Sequence, residues 1–208
     1  MKFKIILSLL LITVTSSSLK AQDERRAFRV TPKIGLGFSM LNTEANDQTQ
    51  NDHSLLDAKG RFNFTAGADF RIGRSFFFTF GGHYNMLNAS LTSRSIDSNV
   101  VNNFKDNATV NYLKVPVGVG YYLTGTGGIV DLNLTLGISN YFLLSENTEF
   151  YSKSDFKSYN VGFNIGVNLD IIRFLHVGIN YDLGMSKLFT DYKGKNQVLS
   201  LTLGVNIP

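Results

Sequence analysis

Residues 61–86, RFNFTAGADFRIGRSFFFTFGGHYNM, alternate apolar and polar side chains with a period of two, and that pattern constrains the fold more than any other feature. Phe62, Phe64, Ala66, Ala68, Phe70 and Ile72 share one face of an extended chain, opposite Asn63, Thr65, Gly67, Asp69 and Arg71. After Gly73-Arg74 the alternation resumes, with Phe76, Phe78, Phe80, Tyr84 and Met86 opposite Phe77, Thr79, Gly81, His83 and Asn85. The pattern predicts a β-hairpin with arms of about a dozen residues. Such arms exceed the usual strand of roughly five or six and suffice for a tilted bilayer crossing of about 9–11.

The same unit recurs along the chain. Strands are predicted at residues 29–41, 108–123, 129–143, 159–171, 175–184 and 199–207, making eight with the opening pair. Each puts Val, Leu, Ile or Phe on one face and Gly, Asn, Thr or Ser on the other. Polar segments at 42–60, 87–107, 144–157 and 186–196 read as exposed loops, with 42–52 as solvated chain. The joints at Gly73-Arg74, at 124–128 and at Ile172-Arg173 read as tight turns.

Long and short connections strictly alternate. The fold class expected is therefore all-β: an eight-stranded antiparallel up-and-down transmembrane β-barrel, with short turns at one end, four long surface loops at the other, and both termini on the short-turn side. A soluble periplasmic ligand-binding barrel would share the alternation but turn its apolar face inward. The residue types favour lipid outside. The polar face lacks the Lys and Glu density of a solvated surface, whereas small residues and amides suit the narrow interior of eight strands. Phe70, Phe76, Tyr121 and Phe174 towards one end, and Phe38, Phe62, Tyr84, Phe142 and Tyr181 towards the other, suit two interfacial girdles.

Composition narrows the setting. Hydrophobic residues make up 43% of the 208, yet no internal run reaches the eighteen or so that a membrane helix needs. Lys2 and Lys4, the apolar run Ile5 to Val14 and the small residue Ala21 read as a secretory signal peptide over residues 1–21, leaving 22–208 as the barrel domain. Three of the twenty basic residues and none of the sixteen acidic ones lie in that leader, so the remainder carries 17 against 16. No basic face is left for nucleic acid. There is no cysteine, hence neither a disulfide framework nor a thiolate metal site.

Tyr112-Leu113-Lys114-Val115-Pro116, followed by Gly118-Val119-Gly120-Tyr121-Tyr122, resembles the PorT-like outer-membrane β-barrel family of the Bacteroidetes. The resemblance implies an outer-membrane location and, through the family's best-known member, a link to protein secretion; most members have no assigned activity. Expected partners are outer-membrane lipid, the barrel-insertion machinery and other envelope or secretion proteins. The chain's Asn206-Ile207-Pro208 end departs from the aromatic terminus common in such barrels.

Charges on the inward face form the candidate site. Arg29, Asp69, Arg71, Asp131, Asp170 and His176 fall near strand ends on the short-turn side, and Lys33, Lys114 and Asp182 lie further in. Buried charges need partners, so these nine residues are read as a structural salt-bridge network closing the lumen, with an ion path as the alternative. His83 is the one candidate base for a barrel-embedded lipid or lipopolysaccharide hydrolase, with Ser90 or Ser93 as nucleophile. His53 reads as a loop residue. The Gly125–Gly128 run lacks the Lys-Ser/Thr of a phosphate loop, and the Asp/Asn-rich 42–52 segment lacks calcium-loop spacing. No catalytic residue, cofactor or metal is expected.

Overall fold

The computed structural model describes residues 27–44, 53–97, 100–124, 129–147, 157–186 and 193–207. The predicted leader, its cleavage point and the Gly125–Gly128 run lie outside them. The strands are β1 (Phe28–Glu44), β2 (His53–Gly60), β3 (Phe62–Gly73), β4 (Phe76–Asp97), β5 (Val100–Tyr122), β6 (Val130–Asn147), β7 (Tyr159–Ile171), β8 (Leu175–Gly184) and β9 (Lys193–Val205). β2 and β3 lie end to end along β4, with Arg61 between them, so the nine segments form eight staves. Every neighbouring pair is antiparallel. β1 pairs with β9 from Lys33↔Gly204 to Glu44↔Lys193, and β4 pairs with β5, so the sheet closes into a barrel.

Side chains split between the two surfaces as the alternation requires. Leu36, Leu136 and Leu201 are 52%, 48% and 53% exposed, whereas Thr31, Asn133 and Ser139 on the opposite face are at 0%. The apolar face therefore points outward and the small amide-bearing face lines the lumen. A soluble ligand-carrying barrel has the reverse arrangement. Lipid tolerates the outward Val, Leu, Ile and Phe, and a charge placed there at mid-bilayer costs ~2–4 kcal/mol.

The loop readings need correction. Of the segments read as loops, 42–44 belong to β1, 53–60 form β2, 87–97 continue β4, 100–107 begin β5, 144–147 end β6 and 193–196 begin β9. The β4–β5 ladder continues without a register shift from Leu87↔Val110 to Asp97↔Val100. Beyond the apolar band neither face meets lipid, so the ladder persists while the hydrophobic period that reveals it disappears. A one-residue bulge at Leu144 adjusts β6 against β5, where Asn111 pairs with Ser145 and Tyr112 with Leu143.

The backbone phase of β5 follows from its turn-end bonds. The Tyr122 amide donates to Ser75 and the Leu123 amide to Leu132, so even-numbered residues of β5 aim their backbone groups at β4 and odd-numbered ones at β6. Pro116 is even. Its missing N–H falls on the β4 seam, and the pairing skips Gly81 and Gly82 there, passing from Phe80↔Val117 to His83↔Lys114.

Two short-turn joints show their chemistry. Gly73 adopts φ of 127°, which its lack of a Cβ permits. At the β7–β8 joint the Phe174 amide donates to the Ile171 carbonyl, and the central residues Ile172 and Arg173 both take positive φ, 50° and 60°. That is the geometry of a tight hairpin turn that prefers Asn-Gly, and a β-branched residue is strained in it. The double substitution Ile172→Asn/Arg173→Gly is expected to raise barrel stability by about 1 kcal/mol in urea unfolding from lipid vesicles. A lowered midpoint would contradict the strain.

Candidate functional site: the lumen

The inward charges gather into three clusters at successive depths. At the turn end, Asp170 on β7 is fully buried and is the hub. Its Oδ2 accepts hydrogen bonds from the Tyr122 hydroxyl at 2.6 Å, Arg71 Nη1 at 3.2 Å and Asn133 Nδ2 at 3.4 Å, with Arg29 Nη1 3.5 Å away. Its Oδ1 lies 2.8 Å from His176 Nδ1. Arg29 and Arg71 both also donate to the Tyr122 hydroxyl, at 3.0 and 3.2 Å. The Arg71 guanidinium sits 5.3 Å from the Phe77 ring centroid, and Phe77 in turn lies in the space that Gly120 leaves open, where a Cβ would strike the ring. Asp131 stands opposite Asp170 in the β6–β7 register and is 1% exposed.

The middle cluster joins β1, β3 and β4. Asp69 Oδ2 is paired with Lys33 Nζ, and its Oδ1 is 2.7 Å from His83 Nε2. The His83 ring fits because Gly67, its cross-strand partner, has no Cβ to occupy that space. Towards the long-hairpin end, Asp182 bonds Lys114 Nζ at 2.6 Å and accepts from Ser139 and Asn164, both at 2.9 Å. Between the clusters lies a cavity of about 50 Å³ bordered by Lys33, Asp69, Arg71, His83 and Lys114, room for a few waters. Among the described residues, Arg29, Lys33, Arg71 and Lys114 share this lumen with Asp69, Asp131, Asp170 and Asp182.

All nine residues read from the sequence as a network therefore face inward. The structure brings Arg29, Arg71, Asp170 and His176 together, pairs Lys33 with Asp69, and pairs Lys114 with Asp182. It also adds His83 and Tyr122. His83 stands outside the nine because parity alone does not reveal which staves meet across a tilted barrel. Tyr122 carries no charge, so a reading of inward charges passes it over.

A second feature went unread. Leu87, Val110, Tyr112, Tyr141 and Val198 point inward near the long-hairpin end and are nearly or fully buried. Tyr112 and Tyr141 meet edge to face at 6.0 Å. These residues form an apolar cap over the charged layers. The inward parity of Leu87, Val110 and Val198 was the available signal, masked by the polar residues beside them.

The geometry removes the hydrolase with Ser90 or Ser93 as nucleophile. Those serines lie seven and ten residues further along β4 than His83, about 23 and 33 Å at ~3.3 Å per residue, far beyond hydrogen-bond reach.

Fold and lumen together define a closed eight-stranded β-barrel of the bacterial outer membrane. The chain belongs to the outer membrane protein β-barrel domain family, whose model matches residues 20–190. Among solved structures it is similar to OprG from Pseudomonas aeruginosa, with 10% identity, a TM-score of 0.52 and coverage of 90% of this chain and 97% of that one. It is also similar to Neisserial surface protein A, with 9% identity, 88% and 98% coverage and a TM-score of 0.48. For Ail, the attachment invasion locus protein of Yersinia pestis, the figures are 14% identity, 88% and 100% coverage and a TM-score of 0.42. At these identities the likeness to OprG speaks for the fold alone. No curated protein matches the sequence.

Removing one member of a buried, hydrogen-bonded ion cluster leaves its partners uncompensated and typically costs ~3–5 kcal/mol. Asp170→Ala, which strands Arg29 and Arg71, is expected to lower the urea midpoint of the lipid-embedded barrel by that order. Replacing the shallower Lys114–Asp182 pair together, as Lys114→Met/Asp182→Leu, is expected to cost less than half as much. Equal losses would contradict the hub assignment.

Proposed function

We propose that the protein is a closed, non-enzymatic outer-membrane scaffold that acts by holding its long hairpins at the cell surface for contact with other envelope proteins. The observation that carries this reading is the occupied lumen. Three ion clusters and an apolar cap obstruct it at successive depths, with a few-water cavity between them. A permeation path would have to cross the Asp170 hub, where two guanidiniums and a phenol share one carboxylate. The β2–β4–β5 segments beyond the apolar band supply the surface for contact.

The motif from Tyr112 to Tyr122 supports placement in the PorT-like branch of the Bacteroidetes, and with it an association with protein secretion. The apolar, Lys-led residues 1–21 support export through a cleaved leader, with 22–208 as the barrel domain. On this reading the long hairpins face the exterior and both ends of the barrel domain face the periplasm. The partners are outer-membrane lipid, the insertion machinery and envelope proteins.

Three measurements test the reading. In planar bilayers the purified barrel is expected to give no resolvable conductance steps in molar salt, and well-defined openings would overturn the closed lumen. In intact cells, removing residues 91–107 is expected to abolish cross-links between this protein and other envelope proteins; unchanged cross-links would overturn the scaffold role. His83→Ala is expected to leave the cellular lipid profile as in wild type, and altered acylation would restore an enzymatic reading.

A further inference from the structure

The cavity between the ion clusters is bordered by every stave of the barrel, from Lys33 on β1 to Thr202 on β9. Its charged border is uneven. Lys33, Arg71 and Lys114 reach it, whereas Asp69 is the one carboxylate on it among the described residues. Asp170 and Asp182 stand back behind the cations that they bind. Both oxygens of Asp69 are already engaged, Oδ2 by Lys33 and Oδ1 by His83. The surface turned to the cavity is therefore cationic.

The strand registers place two of these cations in one row. Lys33 lies opposite Gly67, Gly67 opposite His83, and His83 opposite Lys114. The His83 ring lies over Gly67, so the row presents an ammonium at each end. Two like charges bordering one enclosed space repel unless an opposite charge shares it with them.

Hydrogen bonding points the same way. A lysine ammonium carries three donors. Lys33 bonds Asp69 and Lys114 bonds Asp182, and among the described residues no second acceptor meets either Nζ. Thr65 and Thr79 flank the row, Thr65 towards the long hairpins and Thr79 towards the turns. Both border the cavity, and among the described residues neither hydroxyl has a hydrogen-bond partner. Buried donors need acceptors. Water meets this need poorly, because each molecule brings two further donors of its own. On the opposite staves β7 and β8 the cavity meets the amides of Asn164, Asn168 and Asn180, whose oxygens suit such waters.

We propose that the cavity is a binding site for one small monovalent anion, a halide such as chloride, held by the Lys33 and Lys114 ammoniums and the Thr65 and Thr79 hydroxyls. An anion accepts from all four groups at once and offsets the charge that they share. The space of about 50 Å³ takes a halide with water beside it, and a bulky organic anion does not fit. With the Asp170 hub on one side and the Asp182 layer on the other, the ion is a fixed part of the interior and not a permeant one. Its binding is independent of what the long hairpins contact.

The test folds the full-length protein into lipid vesicles in sodium chloride or in sodium gluconate of equal ionic strength and measures the urea midpoint. A ligand that binds only the folded barrel stabilises it. The midpoint is therefore expected to be higher in chloride and to rise with chloride concentration to a plateau. Thr65→Val/Thr79→Val removes two hydroxyls that bond no described residue, and is expected to raise the half-saturating chloride concentration at least tenfold while the folded gel mobility of the barrel is retained. Lys114→Met/Asp182→Leu, which removes a cation together with its partner, is expected to abolish the chloride effect. In crystals grown in sodium bromide, anomalous scattering is expected to place one bromide in the cavity. Equal midpoints in the two salts overturn the site, and so does a chloride effect that both variants keep in full. Bromide confined to the outer surface would mean an adventitious ion only, with water filling the cavity, and overturns the site as well.

Discussion

In hydrocarbon there is no water to satisfy a backbone N–H or C=O, so a strand can cross only if every neighbour is also a strand and the sheet has no edge. This requirement makes the β1–β9 seam indispensable: without Lys33↔Gly204 through Glu44↔Lys193 the first and last staves would present two unbonded borders to lipid. It also explains why Pro116 is tolerated within the wall. Its missing donor coincides with Gly81-Gly82 on β4, a two-residue lapse in an otherwise continuous ladder. Where the staves leave the apolar band the requirement relaxes, and among the described residues β5 pairs with β4 alone from Val100 to Ala108.

Closure at eight staves then dictates the interior. The lumen is too narrow for bulk water and too polar for lipid, so its side chains must satisfy one another. Asn168 reaches Asn133 and Thr135, Asn180 reaches Thr202, Thr31 reaches Asn206, and Asp69, Asp170 and Asp182 each meet a lysine or an arginine. Small residues make this possible. Gly67 admits the His83 ring and Gly120 the Phe77 ring, each place where a methyl group would meet the neighbour. The apolar cap of Leu87, Val110, Tyr112, Tyr141 and Val198 stacks a small conventional core on the polar one.

How much of this the chain discloses depends on which solvent each residue meets. Within the apolar band one face sees lipid and the other amides, and residues 61–86 or 129–139 read directly as strands with the correct inward set. Past Leu87 both faces of β4 leave that contrast behind, so a ladder reaching Asp97 resembles a loop in composition. Parity located Arg71 and Asp170 on the lumen side. Their meeting, across 99 residues of sequence, depends on the stagger and tilt of the staves, which no local pattern encodes. The turn at Ile172-Arg173 is legible as a joint, but its left-handed backbone is not, because neither residue favours it.

The central claim is that the apolar side of the staves contacts acyl chains while the other side is sealed from them. The chain has no tryptophan, so one introduced residue reports without background. Tryptophan placed at Leu136, at Leu201 or at the inward Phe77, in vesicles of lipids brominated at mid-chain, reads the distance to the hydrocarbon directly. Strong quenching at Leu136 and Leu201 with little at Phe77 is the predicted result, and quenching at Phe77 with Leu136 and Leu201 spared would contradict it.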